Sequence, residues 1–285
     1  MRPAAATVKN PAPILLPPTG AGSVLRRIYA LVLRYTYLLR GSGVRLVELI
    51  YWPFLQMLTW GFLQKYLAGT TSPLAQAAGV LIGSVLLWDI LFRGQIGFSI
   101  SFLEEMWSRN LANLMMTPLR PSELIAALMV MSVVRVLIGL VPVTIMAIIF
   151  FGFNFWGLGF AVGAFFFNLI LTSWSIGLLA SGLVLRKGTG AEGLAWSMTF
   201  LLLPLACVYY PLSILPAWLQ WISMALPPTH VFEGLRALVL ENRFDAGAMF
   251  TAFLLNLLYF AAAGTAFGLL LRSARKSGSL LAAGE

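Results

Sequence analysis

Residues 123–152 read ELIAALMVMSVVRVLIGLVPVTIMAIIFFG, and Glu123 and Arg135 are the only ionisable side chains in the run. A bilayer core of about 30 Å needs about 20 mostly apolar helical residues, and hydrocarbon tolerates no unpaired backbone. A run of this kind is therefore a membrane-spanning helix. Five more apolar runs, at 44–67, 74–103, 156–185, 192–210 and 248–271, extend the reading to six spans. Composition agrees. The chain of 285 residues is 60% hydrophobic and 10% charged, with a mean hydropathy of +0.88, whereas a soluble domain is about 45–50% apolar. The expected fold is an all-α membrane protein of six transmembrane helices, with an N-terminal amphipathic interface helix and short half-inserted outer helices before the last span.

Lys and Arg number 19 against 10 Asp and Glu, a formal charge of +9. A nucleic-acid binder would carry that charge on a broad polar face, and this chain has too little polar surface for one. No nucleic-acid partner is expected. Short loops rich in Lys and Arg stay on the cytoplasmic side of a membrane. Arg2, Lys9, Arg26, Arg27, Arg34, Arg40, Arg45, Arg109, Arg120, Arg186, Lys187, Arg272, Arg275 and Lys276 gather on one side of the six spans, and Lys65, Arg236 and Arg243 on the other. Both termini are thus expected in the cytoplasm, with the protein multi-pass in a bacterial inner membrane and membrane lipids around it. The expected division is a disordered cytoplasmic tail at 1–22, the interface helix at 23–41, the six-span body at 42–276 and a cytoplasmic tail at 277–285.

Residues 23–40 read SVLRRIYALVLRYTYLLR. At about 100° per residue, Arg26, Arg27, Arg34 and Arg40 share an arc of roughly 140°, and Leu, Val, Ile and Tyr fill the rest. Such a helix suits the cytoplasmic interface with its arginines toward lipid headgroups; docking against another subunit is the alternative. Between the fifth and sixth spans, 211–247 is long, aromatic and apolar. Half-inserted outer helices are expected there, with Trp218 and Trp221 at headgroup depth.

The chain carries no G-x-x-x-x-G-K-[ST]; its nearest stretch, Gly188-Thr-Gly-Ala-Glu-Gly, lacks the lysine. An ATP site of that type is not expected on this chain, which is read as a transport subunit and not an enzyme. It also lacks a G-x-S-x-G elbow, an H-E-x-x-H and any Cys or His cluster. The single cysteine, Cys207, reads as packing. His230 and Glu233 form H-x-x-E, but two ligands are too few for a closed zinc site, so capping or packing is expected, with no bound metal or cofactor.

Ionisable residues inside a span are costly and point to function by default. Asp89 and Arg93 stand four apart, the spacing that lets an acid meet a base on one helix face. They either neutralise one another for insertion or line a polar path or a dimer seam. Arg135 has no acid three or four residues away, so an interhelical partner such as Asp89, or a substrate anion, is expected. Small-xxx-small pairs, Gly79/Gly83, Gly159/Gly163 and Gly264/Gly268, permit close helix approach.

Between the second and third spans, 101–124 reads SFLEEMWSRNLANLMMTPLRPSEL. Its leucines and methionines recur at three and four, which predicts a short amphipathic helix ending near Thr117-Pro118. Helices of this kind dock an apolar face into a groove on a partner.

The pattern E-x-x-x-x-R-N-L-x-x-L-x-x-T-P-L-x-P-x-E resembles the loop of ABC-2 type permeases that carries the coupling helix. Tyr210-Pro-Leu-Ser-Ile-Leu-Pro-Ala-Trp-Leu-Gln, followed by Leu226-Pro-Pro-Thr-His-Val-Phe-Glu-Gly-Leu-Arg, is similar to the family's signature before its last span. The resemblance implies a homodimer with two copies of a P-loop ABC ATPase subunit, which binds ATP and Mg. It further implies that Glu105, Arg109, Asn110, Leu114, Thr117 and Pro118 contact that ATPase, and that Glu233 and Arg236 belong to the outer signature. Pro227-Pro228 replaces the Asn-Pro of many relatives. The implied function is ATP-driven export of an amphiphilic, lipid-like or lipid-linked saccharide or drug substrate. The alternative is a secondary transporter or channel not coupled to ATP, which would need intramembrane ions at inverted-repeat positions; no convincing internal repeat is present. A lipid-modifying enzyme would need clustered acids or histidines at one membrane depth.

Overall fold

The computed structural model describes residues 20–69 and 78–277. Ten α-helices and no strand occur among them: α1 (Ala21–Arg40), α2 (Gly43–Ala68), α3 (Ala78–Trp107), α4 (Leu111–Met116), α5 (Pro121–Phe151), α6 (Phe160–Lys187), α7 (Glu192–Leu205), α8 (Ala217–Met224), α9 (Pro227–Glu241) and α10 (Ala246–Ser277). The tails expected at 1–22 and 277–285, apart from residues 20–22 and 277, and the start of the second span at 74 lie outside the described residues.

Among the described residues, five helices are long and apolar enough to cross a membrane: Gly43–Leu67, Val80–Trp107, Pro121–Phe151, Phe160–Lys187 and Ala246–Lys276. The fifth expected span, 192–210, differs from its expectation. α7 has 14 residues, about 21 Å at 1.5 Å per residue against the roughly 30 Å of a hydrocarbon core. Pro204 sits inside its last turn, and Cys207 takes a left-handed φ of 53°. The proline weakens this last turn by removing a backbone donor, and the left-handed Cys207 turns the chain out of the helix.

α3 and α6 form the centre of the bundle, with 78% and 67% of their apolar windows buried; α2 and α10, at 17% and 22%, form its rim. The central helices come close because glycine allows it. A Cβ on Gly177 would stand 2.9 Å from the Phe98 ring, and one on Gly94 would collide with Ser173. The tight seam thus runs through Gly94 and Gly177. Gly159, Gly163, Gly264 and Gly268, expected at seams, meet nothing within 4 Å.

Several buried polar side chains in the bundle pair across helices. Asn256 of α10 donates to the Asn168 backbone oxygen of α6 at 2.9 Å, and Thr172 donates to Asn256 Oδ1 at 2.7 Å. Thr199 of α7 donates to Gln95 Oε1 of α3 at 2.8 Å. Trp174 Nε1 donates to Ser132 Oγ at 2.7 Å, tying α6 to α5. An unpaired polar group in an apolar interior would cost about 1–3 kcal/mol, so each tie fixes helix rotation as well as proximity.

Candidate functional site

α1 buries Leu31, Tyr35 and Leu39, a stripe at four-residue spacing that lays the helix against the bundle. Its polar face meets acids. Arg27 donates from Nε to Glu123 Oε2 at 2.9 Å and from Nη2 to Glu123 Oε1 at 2.6 Å, a two-pronged pair between α1 and the first turn of α5. Glu123 Oε2 also accepts from the Arg120 backbone N–H at 3.1 Å, satisfying an orphan donor at the start of α5. Arg34 donates to Glu105 Oε1 at 2.6 Å. Two of the four arginines expected to face headgroups therefore face protein carboxylates instead. The desolvated acids Glu105 and Glu123 have no nearer counter-charge, and that outweighs solvation at the surface. Arg26 and Arg40 remain exposed.

The last turn of α3 presents Glu104 and Glu105 in different directions. Glu105 is fully buried and joins α1 to the following loop: its Oε2 accepts from Asn110 Nδ2 at 2.7 Å. Asn110 N also donates to the Glu105 backbone oxygen at 3.0 Å, and Arg109 adopts a left-handed φ of 52° as the chain reverses into α4. α4 ends at Thr117, whose hydroxyl donates to the Leu114 backbone oxygen at 2.6 Å. Leu111 is buried beneath this short helix, Leu114 is half-buried, and Arg109, Met116, Thr117 and Pro118 are exposed. Of the residues assigned to partner contact, Glu105 is an internal brace, whereas Arg109, Thr117 and Pro118 stand on an outward face.

Glu104 accepts from Arg45 Nη1 of α2 at 2.9 Å and from Arg135 Nη2 of α5 at 3.4 Å. The interhelical partner of Arg135 is thus Glu104 and not Asp89. Asp89 is fully engaged on its own helix, taking Arg93 Nε at 2.8 and 2.9 Å. Gly139 of α5 makes room for this pair, since a Cβ there would stand 3.2 Å from Arg93 Cδ and 2.7 Å from the Leu49 backbone oxygen. Between α1, α2, α3, α5 and α7 a cavity of about 390 Å³ opens, lined among others by Arg45, Arg93, Glu104, Arg135, Trp52 and Trp196.

The opposite end of the bundle is organised by Arg236. From α9 it donates to the backbone oxygens of Cys207, in a very short contact, and Val208, at 3.2 Å, which the end of α7 exposes. It also pairs with Glu233 Oε1 at 2.9 Å, and Glu233 Oε1 in turn accepts from the Leu212 N–H at 2.7 Å. The outer signature is therefore a clamp on the break after α7. Pro227 and Pro228 occupy the first turn of α9, where a missing N–H costs nothing. His230 Nε2 lies 2.8 Å from the Met224 backbone oxygen, tying α9 to the end of α8. Trp218 and Trp221 are 65% and 75% exposed on α8. Among the described residues no three His, Cys, Asp or Glu side chains gather as a metal site.

Sequence reasoning passed over Glu104 and Glu123 as the acids that organise the basic end. Their partners Arg45 and Arg27 lie 59 and 96 residues away, beyond the reach of any local pattern. The sequence model of the ABC-2 type transporter family matches residues 44–240. No curated protein matches the chain.

Proposed function

The chain belongs to the ABC-2 type transporter family, and from that premise we propose that it is the permease subunit of an ATP-driven exporter whose ATPase is a separate polypeptide. In this reading two copies of the chain pair in a bacterial inner membrane and bind two P-loop ABC ATPase subunits, which hold ATP and Mg. The basic end faces the cytoplasm, α1 rests at that membrane surface, and both termini lie there. α7 and the clamped segment after it make the remaining crossing, so the chain passes six times. The cargo is an amphiphilic, lipid-like or lipid-linked molecule.

The observation that carries this reading is the construction of α4. It is a short helix whose inner side is pinned by Glu105–Asn110 and buried Leu111, while Arg109, Met116, Thr117 and Pro118 project outward. Glu105 also holds Arg34 of α1, and Glu104 holds Arg45 of α2 and reaches Arg135 of α5. A push on α4 would reach α3 and α1 through Glu105, and α2 through the neighbouring Glu104, by short charge-assisted contacts. A loop with no mechanical task would not need such bracing.

The test is co-expression with a cognate ABC ATPase, purification through a tag on this chain, and transport in vesicles. Arg109→Glu or Leu114→Asp is expected to abolish ATPase recovery and transport while the permease itself still elutes as the wild type does. Full ATP-dependent transport by both variants would remove α4 from the coupling role. Transport driven by an ion gradient without ATPase would favour the secondary-transporter reading.

A further inference from the structure

We propose that the cavity at the basic end is a binding site for the anionic head group of an amphiphile, with Arg135 as its anion contact. The assignment rests on the export reading above and narrows its cargo.

Three arginines line the cavity, Arg45, Arg93 and Arg135. Arg93 is neutralised by both oxygens of Asp89. Arg45 holds Glu104 at 2.9 Å and is 46% exposed, so water completes its shell. Arg135 has neither advantage. Its side chain is only 7% exposed, it reaches Glu104 at 3.4 and 3.5 Å, and its Nε has no hydrogen-bond partner. A well-formed guanidinium–carboxylate contact is about 2.7–2.9 Å. Glu104 is thus committed to Arg45, and Arg135 remains a buried cation with donors to spare at the wall of a cavity.

A planar guanidinium fork matches the oxygens of a phosphate or carboxylate. The rest of the wall selects what that anion is attached to. Trp52, Phe92, Trp107 and Trp196 surround the polar patch. Trp52, Trp107 and Trp196 are 61%, 50% and 46% exposed, so the mouth of the cavity is aromatic. A small free anion gains nothing from such walls, whereas an alkyl chain or a ring joined to the anion does. The site also stands next to the drive: Glu104, which Arg135 reaches, precedes Glu105, which anchors α4.

The experiment uses the full chain in phosphatidylcholine nanodiscs, without ATPase or ATP, and a diazirine-bearing alkyl phosphate as the photolabel, mapped by peptide mass spectrometry. Labelling is expected on the peptides bearing Trp52, Phe92 and Trp196. Excess dodecyl phosphate should suppress it, and dodecanol or inorganic phosphate at the same concentration should not. Arg135→Gln should lower labelling by about tenfold, the loss of one charge-assisted contact, and Arg135→Lys should retain most of it. Should Arg135→Gln fail to fold, the competition on the wild-type chain decides. Label spread over the lipid-facing sides of α2 and α10, or equal suppression by dodecanol, would overturn the site. Equal suppression by inorganic phosphate would overturn the amphiphile in favour of a free anion. Because the readout needs no ATPase, its failure is separable from failure of the export reading, which is measured by ATPase recovery and transport.

Discussion

Each end of the bundle buries an arginine beside a glutamate, and the two arginines live differently. Arg236 spends its donors on Glu233 and on the carbonyls of Cys207 and Val208. Arg135 reaches its glutamate only at 3.4 Å and leaves Nε unused beside a cavity. A buried charge whose hydrogen bonds run to permanent acceptors fixes structure. An under-satisfied one lining a cavity leaves capacity for something that comes and goes. The far end thus reads as a clamp and the basic end as a working part.

Substitutions break this comparison in order of size. Removing Arg236 as Arg236→Ala takes the cation from Glu233, itself 34% exposed, and strips two backbone carbonyls of their donor at once, a sum of several contacts at about 1–3 kcal/mol each. Most of the folded protein should be lost, measured as the monodisperse fraction after detergent extraction; a normal yield would mean the clamp is dispensable. At the basic end, Glu123→Gln removes the charge and one of the two acceptor oxygens of the pair with Arg27, a smaller loss than that of Arg236→Ala because the remaining amide oxygen still accepts. Faster hydrogen exchange along α1, with the rest of the bundle unchanged, is the expected signature.

Smaller again is the coupling within the Asp89–Arg93 pair. Asp89→Asn and Arg93→Gln should each lower the melting temperature in detergent, and the double variant should recover part of the loss, with an interaction of about 0.5–3 kcal/mol. Additive losses would show that the two act separately, as residues of a polar path would. At the bottom of the scale stands Arg243, whose pairs with Glu241 and Asp245 are largely exposed. Arg243→Ala should shift stability by no more than about 0.5 kcal/mol. A large shift would mean that this surface is covered in the assembled protein.

The sequence made some of this legible for plain physical reasons. Apolar length marks helices in lipid, so α2, α3, α5, α6 and α10 could be read directly, and the three-and-four spacing of Leu111, Leu114 and Met115 announced α4. Pro204 alone did not disclose that α7 stops at Leu205, because prolines at 53 and 142 sit inside helices that continue. The difference is tertiary: Arg236 captures the carbonyls released after α7, and no local pattern reports a partner 29 residues away. The same limit hid Glu104 and Glu123, whose arginines come from distant turns of the chain. Asp89–Arg93 was legible because its spacing is local; Arg135 was visible as an anomaly, but its partner was not.

If α4 transmits work from a separate ATPase, it must touch that ATPase in the working complex. A photo-crosslinking amino acid is placed at Met116, 79% exposed on α4, or at Trp218 of the far end, 65% exposed, in the complex assembled with its ATPase. The account predicts that Met116 captures the ATPase subunit, that the yield changes between nucleotide-free and ATP-bound states, and that Trp218 captures none. A complex that transports with ATP while Met116 captures no ATPase would contradict it.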